Sequence, residues 1–166
     1  LSRLVRLQLR YAFDHGDASD VLAKAEKLVK AGAINDYEAE QYQNWAYRRL
    51  LSEVTDAGSL KACLKHIPES LKSGELCVAI AEKYERLGLY ADAVKWVKTH
   101  YPQTHQPELL EAFVESVRFL SEREQQKAID LADSWLQEQP DNAPLLMYLG
   151  QLAYGRKLWG KAQGYL

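Results

Sequence analysis

The residues best suited to bind a metal ion or haem are a thiol and an imidazole three positions apart, Cys63 and His66. On a helix, this spacing places both side chains on one face, where they would supply two ligands. A tetrahedral site needs four ligands, and no second Cys/His pair completes one. The Cys-x2-Cys-His motif of covalent haem attachment does not occur either. We therefore expect a buried cysteine beside a peripheral histidine, and neither a bound metal nor a cofactor.

The other histidines are not arranged as ligands. His15 comes directly before Gly16, at an expected helix end, where its ring can interact with exposed carbonyl groups. His100 and His105 flank a Tyr-Pro pair in an expected loop, and their spacing does not place them together on a helix. These positions therefore predict no metal site.

The sequence offers no residue for an enzymatic reaction. It contains no glycine-rich phosphate loop, no Gly-x-Ser-x-Gly motif and no His-Glu-x2-His motif. Pairs of carboxylates such as Glu82 and Glu85 are typical of solvated helix faces. We predict a protein that is not an enzyme and has no catalytic residue.

Charge and hydropathy exclude further classes. The chain has 166 residues, with 21 Lys and Arg against 23 Asp and Glu and a net charge of −2. A general nucleic-acid binder would carry a large positive excess, so we expect no nucleic-acid partner. No apolar run approaches the roughly 18 residues of a membrane span, so we expect a membrane connection only through an N-terminal anchor outside this chain.

Residue usage predicts an all-α fold. The chain contains 25 Leu against 16 Val, Ile and Thr together, and no stretch alternates between apolar and polar residues. Glycines, prolines and capping residues such as Asp17 and Asn35 divide the chain into about ten helices. We place them at about 2–14, 18–31, 36–54, 57–71, 74–87, 90–100, 106–120, 122–139, 143–155 and 158–166.

An internal repeat links these helices. Small residues recur at Ala93, Ala128 and Ala162, at spacings of 35 and 34, and Ala81 and Gly150 precede two of them in a similar pattern of large and small residues. This pattern resembles the tetratricopeptide repeat (TPR). It implies one domain over 1–166, a right-handed superhelical stack of antiparallel α-hairpins that is irregular over 1–71 and clearer over 74–166. The alternative is a non-repeating helical bundle.

The first helix of each TPR hairpin lines the inner surface of the stack, which usually holds peptides or protein segments. The register predicts the following inner-face positions: Gln43, Tyr47, Val78, Glu82, Phe113, Val117, Met147, Gln151 and Tyr154. The set is mostly apolar and aromatic, and it lacks the Lys and Asn with which TPR domains clamp acidic chaperone tails. We predict that it binds an amphipathic protein segment. Alternatively, these residues pack against a neighbouring hairpin.

Three arginines of the first predicted helix lie on one helix face. Arg3, Arg6 and Arg10 lie at helical spacing and would suit acidic lipid headgroups, RNA or an acidic partner. The alternative is an exposed helix face whose charge is balanced by Asp14, Asp17 and Asp20.

The C-terminal stretch suggests a family. The segment Leu158-Trp159-Gly160-Lys161-Ala162-x2-Tyr165-Leu166, preceded by Leu145-Leu146-x2-Leu149-Gly150, resembles the end of bacterial HemY proteins. Ile67-Pro68-x2-Leu71, followed by Leu76-x2-Ala79-x-Ala81 and Leu87-Gly88, is also similar to that family. So is the opening, in which an apolar helix follows Gly16-Asp17 and precedes Lys30-x3-Ile34.

The resemblance implies a scaffold in a late step of protohaem and porphyrin biosynthesis, with haem-pathway enzymes as partners. It also implies two membrane-spanning helices before this segment. This chain would then be a soluble fragment of a longer inner-membrane protein, and its helical domain would face the cytoplasm. Two other functions remain open, a TPR adaptor for envelope assembly or secretion and a tetrapyrrole carrier that uses Cys63 and His66.

Overall fold

The computed structural model describes residues 1–155 of the chain. That part consists of nine α-helices and one 3-10 turn, and it contains no strand. The helices are α1 (Ser2–Asp14), α2 (Ala18–Lys30), α3 (Asp36–Glu53), α4 (Ala57–His66), α5 (Glu75–Arg86), α6 (Tyr90–Thr104), α7 (Pro107–Val117), α8 (Glu122–Glu138) and α9 (Ala143–Gly155), and the 3-10 turn covers Glu69–Leu71. The predicted all-α class is confirmed. The expected helix over 158–166, with Ala162, lies outside the described residues.

The ends of the fourth and sixth helices differ most from the prediction, by five and four residues, and a proline is involved in each. The fourth helix ends at His66 instead of continuing to residue 71, because Ile67 precedes Pro68 and takes an extended conformation (φ −76°, ψ 123°). The sixth helix does not end at residue 100 but continues through Pro102 to Thr104. Pro102 lies in the last turn of α6, where the loss of one backbone hydrogen bond disturbs few others.

Several helix starts are fixed by the side chains that the sequence indicates. Asp17 accepts a hydrogen bond from the Asp20 backbone N–H at 3.1 Å, and Asn35 accepts one from that of Glu38 at 2.8 Å. Asn142 caps the start of α9 in the same way. These bonds satisfy N–H groups that have no partner within the helix.

A capping box that the sequence analysis missed begins α4. Asp56 Oδ1 accepts a hydrogen bond from the Ser59 backbone N–H at 2.7 Å, while Ser59 Oγ accepts one from the Asp56 N–H at 3.3 Å. The bonds from Ser59 hold the pKa of the Asp56 carboxyl below its usual range. Ser59 takes the place of the usual Glu or Gln of this motif, which explains why the motif escaped notice.

The described residues form two compact units. The first is Leu1–Ala79, and the second begins at Ile80 and is described up to residue 155. In the first unit, α2 packs against both α1 and α3. Its core contains Leu9, Val21, Leu28 and Ala46, all of which are buried.

In the second unit, α6 packs against α7, and both α7 and α8 pack against α9. The small residues of the repeat pattern, Ala81, Ala93, Ala128 and Gly150, are buried, as close helix approach requires. These pairings are compatible with a stack of helical hairpins. The single repeat domain over 1–166 stays a prediction.

Candidate partner-binding surface

The helix α9 carries three of the predicted site residues on one exposed face. Met147, Gln151 and Tyr154 follow one another at helical spacings of four and three. The side chains of Met147 and Tyr154 are 45% and 59% exposed, while Leu145, Leu149 and Leu152 of the same helix are buried in the core. The face therefore combines two apolar side chains with a central amide.

Two other predicted site residues do not lie on the surface. Phe113 is 1% exposed and Val117 is fully buried. The Phe113 ring packs against the indole of Trp135 at a centroid distance of 5.4 Å, and Tyr101 packs against the same indole at 4.7 Å. Because α8 brings Trp135 over Phe113, the ring belongs to the core, which is the alternative that the sequence analysis left open. Phe113 is therefore not a direct contact for a partner.

A groove beside α9 brings two predicted site residues together. It has a volume of about 250 Å³ and lies between α7, α9 and the start of α8. Its lining consists of Val114, Val117, Arg118, Gln125, Gln151, Leu152 and Gly155. Val117 and Leu152 are buried and form an apolar floor, and Gln151 and Arg118 are exposed at its edge.

A second groove, between α5 and α7, is strongly acidic. It has a volume of about 170 Å³, and it includes the predicted site residue Glu82. Its lining consists of Glu82, Glu85, Arg86, Glu108, Glu111, Ala112 and Glu115. The sequence analysis predicted Glu82 as an inner-face residue and took Glu85 only as part of a solvated helix face. It missed Glu108 and Glu111 because they lie on α7, whereas Glu82 and Glu85 lie on α5. Sequence spacing alone does not show that residues of two different helices meet.

The negative charge of the acidic groove acts on a residue of α9. Burial raises the pKa of the Tyr148 hydroxyl, and the negative charges of Glu111 and Glu108 raise it further. Among the acidic residues of the groove, Glu115 makes an ion pair with Arg118 at 3.3 Å. The surface formed by α5, α7 and α9 thus joins carboxylates to an exposed apolar face.

The remaining predicted site residues lie elsewhere. Tyr47 is buried in the first unit, where its hydroxyl donates a hydrogen bond to the backbone carbonyl of His66 at 2.9 Å. Gln43 and Val78 are half-buried. Because Tyr47 is buried, it packs within the first unit, and part of its side chain also lines the cleft described next.

Cys63 and His66 lie in a cleft of about 460 Å³ in the first unit. The cleft is lined by Ser19, Leu22, Tyr47, Leu50, Ala62, Cys63 and His66. Cys63 is half-buried and His66 is exposed, and burial raises the pKa of the Cys63 thiol. The two side chains share a mostly apolar surface, as their spacing predicted, but in residues 1–155 no group of three or more His, Cys, Asp or Glu side chains could hold a metal ion.

The predicted loop around His100 and His105 is wrong. His100 lies within α6, where its ring stacks on Trp96 at a centroid distance of 3.8 Å. His105 ends the helix in a left-handed conformation with φ 52°, and its N–H donates to the carbonyl of Tyr101 at 2.8 Å. His15 contacts a carbonyl as predicted, since its Nδ1 lies 2.8 Å from the Tyr11 oxygen.

In the described part of the chain, the arginines of α1 make no ion pair with Asp14, Asp17 or Asp20. Asp17 caps α2, and Asp20 pairs with Lys24 at 3.1 Å. Arg6 instead pairs with Glu38 at 3.8 Å. Arg3, Arg6 and Arg10 are all exposed, as the alternative of an exposed helix face expected, and the balance of its charge stays a prediction.

Comparisons with protein-family profiles, with curated proteins and with solved structures find no match to this chain. Within residues 1–155, none of the helices combines the length and the apolar character that crossing a bilayer requires.

Proposed function

We propose that this chain is a non-catalytic module that binds a segment of another protein on the α5–α7–α9 surface. The observation that carries the proposal is the exposed face of Met147, Gln151 and Tyr154 on α9. Large exposed apolar side chains beside a groove with an apolar floor are typical of surfaces that anchor a partner. An amphipathic segment would place its apolar residues there.

The carboxylates of the neighbouring groove define the charge of that segment. Glu82, Glu108 and Glu111 favour a partner that carries Lys or Arg beside its apolar residues. Acidic residues on a partner would be repelled by the glutamates of the same groove.

The proposal includes a right-handed superhelical stack of TPR-like hairpins as the architecture. The buried small residues at repeat positions and the pairings of α6 with α7, and of α7 and α8 with α9, support it. In such a stack, α5, α7 and α9 are the first helices of successive hairpins. The partner would then lie along a continuous inner surface.

The proposed biological setting is that of a HemY-type protein. Its role would be a scaffold for enzymes of a late step of protohaem and porphyrin biosynthesis, on the cytoplasmic side of a bacterial inner membrane. The sequence resemblance is the support for this part of the proposal. An adaptor in envelope assembly or secretion would use the same surface with other partners.

A pull-down from native membranes tests both parts. The baits are the wild-type chain, a Met147→Ser/Tyr154→Ser variant and a matched control, Tyr37→Ser, which removes an exposed aromatic ring from α3. We expect wild type and control to recover haem-pathway enzymes and the double variant to lose them. Recovery of envelope or secretion proteins by the same two baits would discard the haem role. Equal recovery by all three would refute the α9 surface.

A second candidate function is tetrapyrrole binding in the cleft of the first unit. The observation that favours it is the shared cleft of Cys63, His66 and Tyr47, in which a thiol and an imidazole border an apolar surface. Addition of haem should then shift the Soret band, and His66→Ala should abolish the shift. If micromolar haem causes no shift of the Soret band, tetrapyrrole binding in this cleft is refuted.

A further inference from the structure

The helix α1 has two apolar faces, and only one of them is used within the first unit. Val5, Leu9 and Ala12 are buried in the core with α2 and α3. The second face consists of Leu4, Leu7 and Tyr11, which are 55%, 65% and 65% exposed. We call these three residues the α1 seam.

The spacing of the α1 seam matches a coiled-coil interface. Leu4, Leu7 and Tyr11 follow one another at intervals of three and four, as residues at positions a, d and a of a heptad do. The Tyr11 ring stacks on the ring of His15 at a centroid distance of 3.9 Å, which holds the ring in place at the end of the seam. A second helix packed along α1 would insert its own apolar side chains between these three.

Two arginines border the seam along one edge. Arg3 and Arg10 each precede a seam residue by one position, which is position g of the same heptad, and they lie about 10 Å apart along the helix axis. Both are exposed, and neither makes an ion pair with another residue in the described part of the chain. Arg6, in contrast, donates to the carbonyl of Ala33 and pairs with Glu38.

We propose that the α1 seam binds an acidic amphipathic α-helix of a partner protein, with carboxylates placed opposite Arg3 and Arg10. Charges at e and g positions select the partner of a coiled coil, so two arginines seven residues apart favour two acidic residues at the same separation. A second copy of α1 does not fit. In an antiparallel pair Arg3 and Arg10 would face arginines, and in a parallel pair Arg3 would face Gln8 and Arg10 would face His15.

The seam suits a helix better than an anionic membrane. It is one side chain wide, whereas helices that lie in a membrane interface bury a broad apolar face. Beside it, Leu7, Gln8 and Tyr11 of α1 and the Asp20–Lys24 pair of α2 line a cleft of about 280 Å³. That cleft gives the ridge of a partner helix a place to pack.

This inference is independent of the function proposed above. It concerns the first unit, whereas the proposed partner segment binds the surface formed by α5, α7 and α9. Variants of Met147 and Tyr154 should therefore leave it unaffected, and failure of either proposal leaves the other standing.

Binding of synthetic peptides tests the inference. The first probe is a labelled three-heptad helix with Leu at a and d and Glu at e and g, and its matched control has Lys in place of Glu. Fluorescence anisotropy with the full chain should give an affinity on the order of tenfold higher for the Glu peptide, at peptide concentrations that keep it monomeric. Equal affinity for both peptides, or binding of neither, would overturn the proposal.

Two variants separate the charged edge from the seam. Arg3→Glu/Arg10→Glu should reverse the preference towards the Lys peptide, a result that mere damage to the fold cannot produce. Leu7→Ser should weaken binding of the Glu peptide at least tenfold, while Tyr37→Ser should not change it. Thermal melts followed by circular dichroism establish that each variant is folded. Tighter binding to phosphatidylserine vesicles than to the Glu peptide would assign the face to a membrane and refute a helical partner.

Discussion

Replacement of Phe113 by alanine is the sharpest test of the core of the second unit. The ring is 1% exposed and lies 5.4 Å from the indole of Trp135, so truncation removes both its burial and an aromatic pair. Buried Phe→Ala changes cost about 3–5 kcal/mol, of which roughly 0.5–1.5 kcal/mol reflects an aromatic contact. Since domains are stable by about 5–15 kcal/mol, Phe113→Ala should remove at least about a fifth of the stability. Phe113→Leu, which keeps most of the volume, should cost roughly 1–2 kcal/mol.

Urea unfolding followed by circular dichroism measures these losses. The matched control is Phe119→Ala, since Phe119 is 61% exposed and stacks on Tyr90 at a centroid distance of 4.3 Å. We expect the control to cost about 1 kcal/mol or less. A Phe113→Ala variant no less stable than the control would refute the placement of Phe113 in the core and restore it as a surface contact.

Two further predictions concern titratable groups in the first unit. Asp56→Ala should lower the urea midpoint at pH 7, because it removes the capping box with Ser59. The pKa of the Asp56 carboxyl is lowered in the folded state, so the ionised carboxyl stabilises the fold fully above the unfolded pKa near 4 and loses this effect as the pH falls through the folded pKa. The difference in stability between wild type and Asp56→Ala should therefore narrow at low pH, and a constant difference would contradict the argument. Burial raises the pKa of the Cys63 thiol, so peptide mapping should find slower alkylation by iodoacetamide at pH 8 in the folded chain than in urea; an equal or faster rate would mean that the thiol is exposed.

Most helix positions were predictable because local chemistry determines them. Asp17 and Asn35 begin helices through hydrogen bonds that their own side chains make, and these bonds need no distant partner. The continuation of α6 past Pro102 was not predictable in this way. There, Tyr101 packs on Trp135 and accepts a hydrogen bond from the Asn142 side chain at 3.2 Å, so tertiary contacts hold the helix together where local propensity ends it.

The candidate site was only partly predictable, for a similar reason. Phe113 and Met147 are 34 residues apart and occupy equivalent repeat positions, yet one is buried and the other exposed. A repeat register identifies the face of a helix, whereas burial depends on which neighbouring side chain covers that face. The acidic groove likewise depends on two helices whose glutamates meet only after packing, so Glu82 was identified and Glu108 was not.

The helix pairings of the fold have a consequence for how quickly the chain folds. In the first unit α1 packs on α2 and α2 on α3, and in the second α6 packs on α7 and α8 on α9, so most partners adjoin each other along the chain. Bringing such neighbours together closes short loops and loses little chain entropy. Proteins rich in local contacts fold in microseconds to milliseconds, and each unit has the topology of that class.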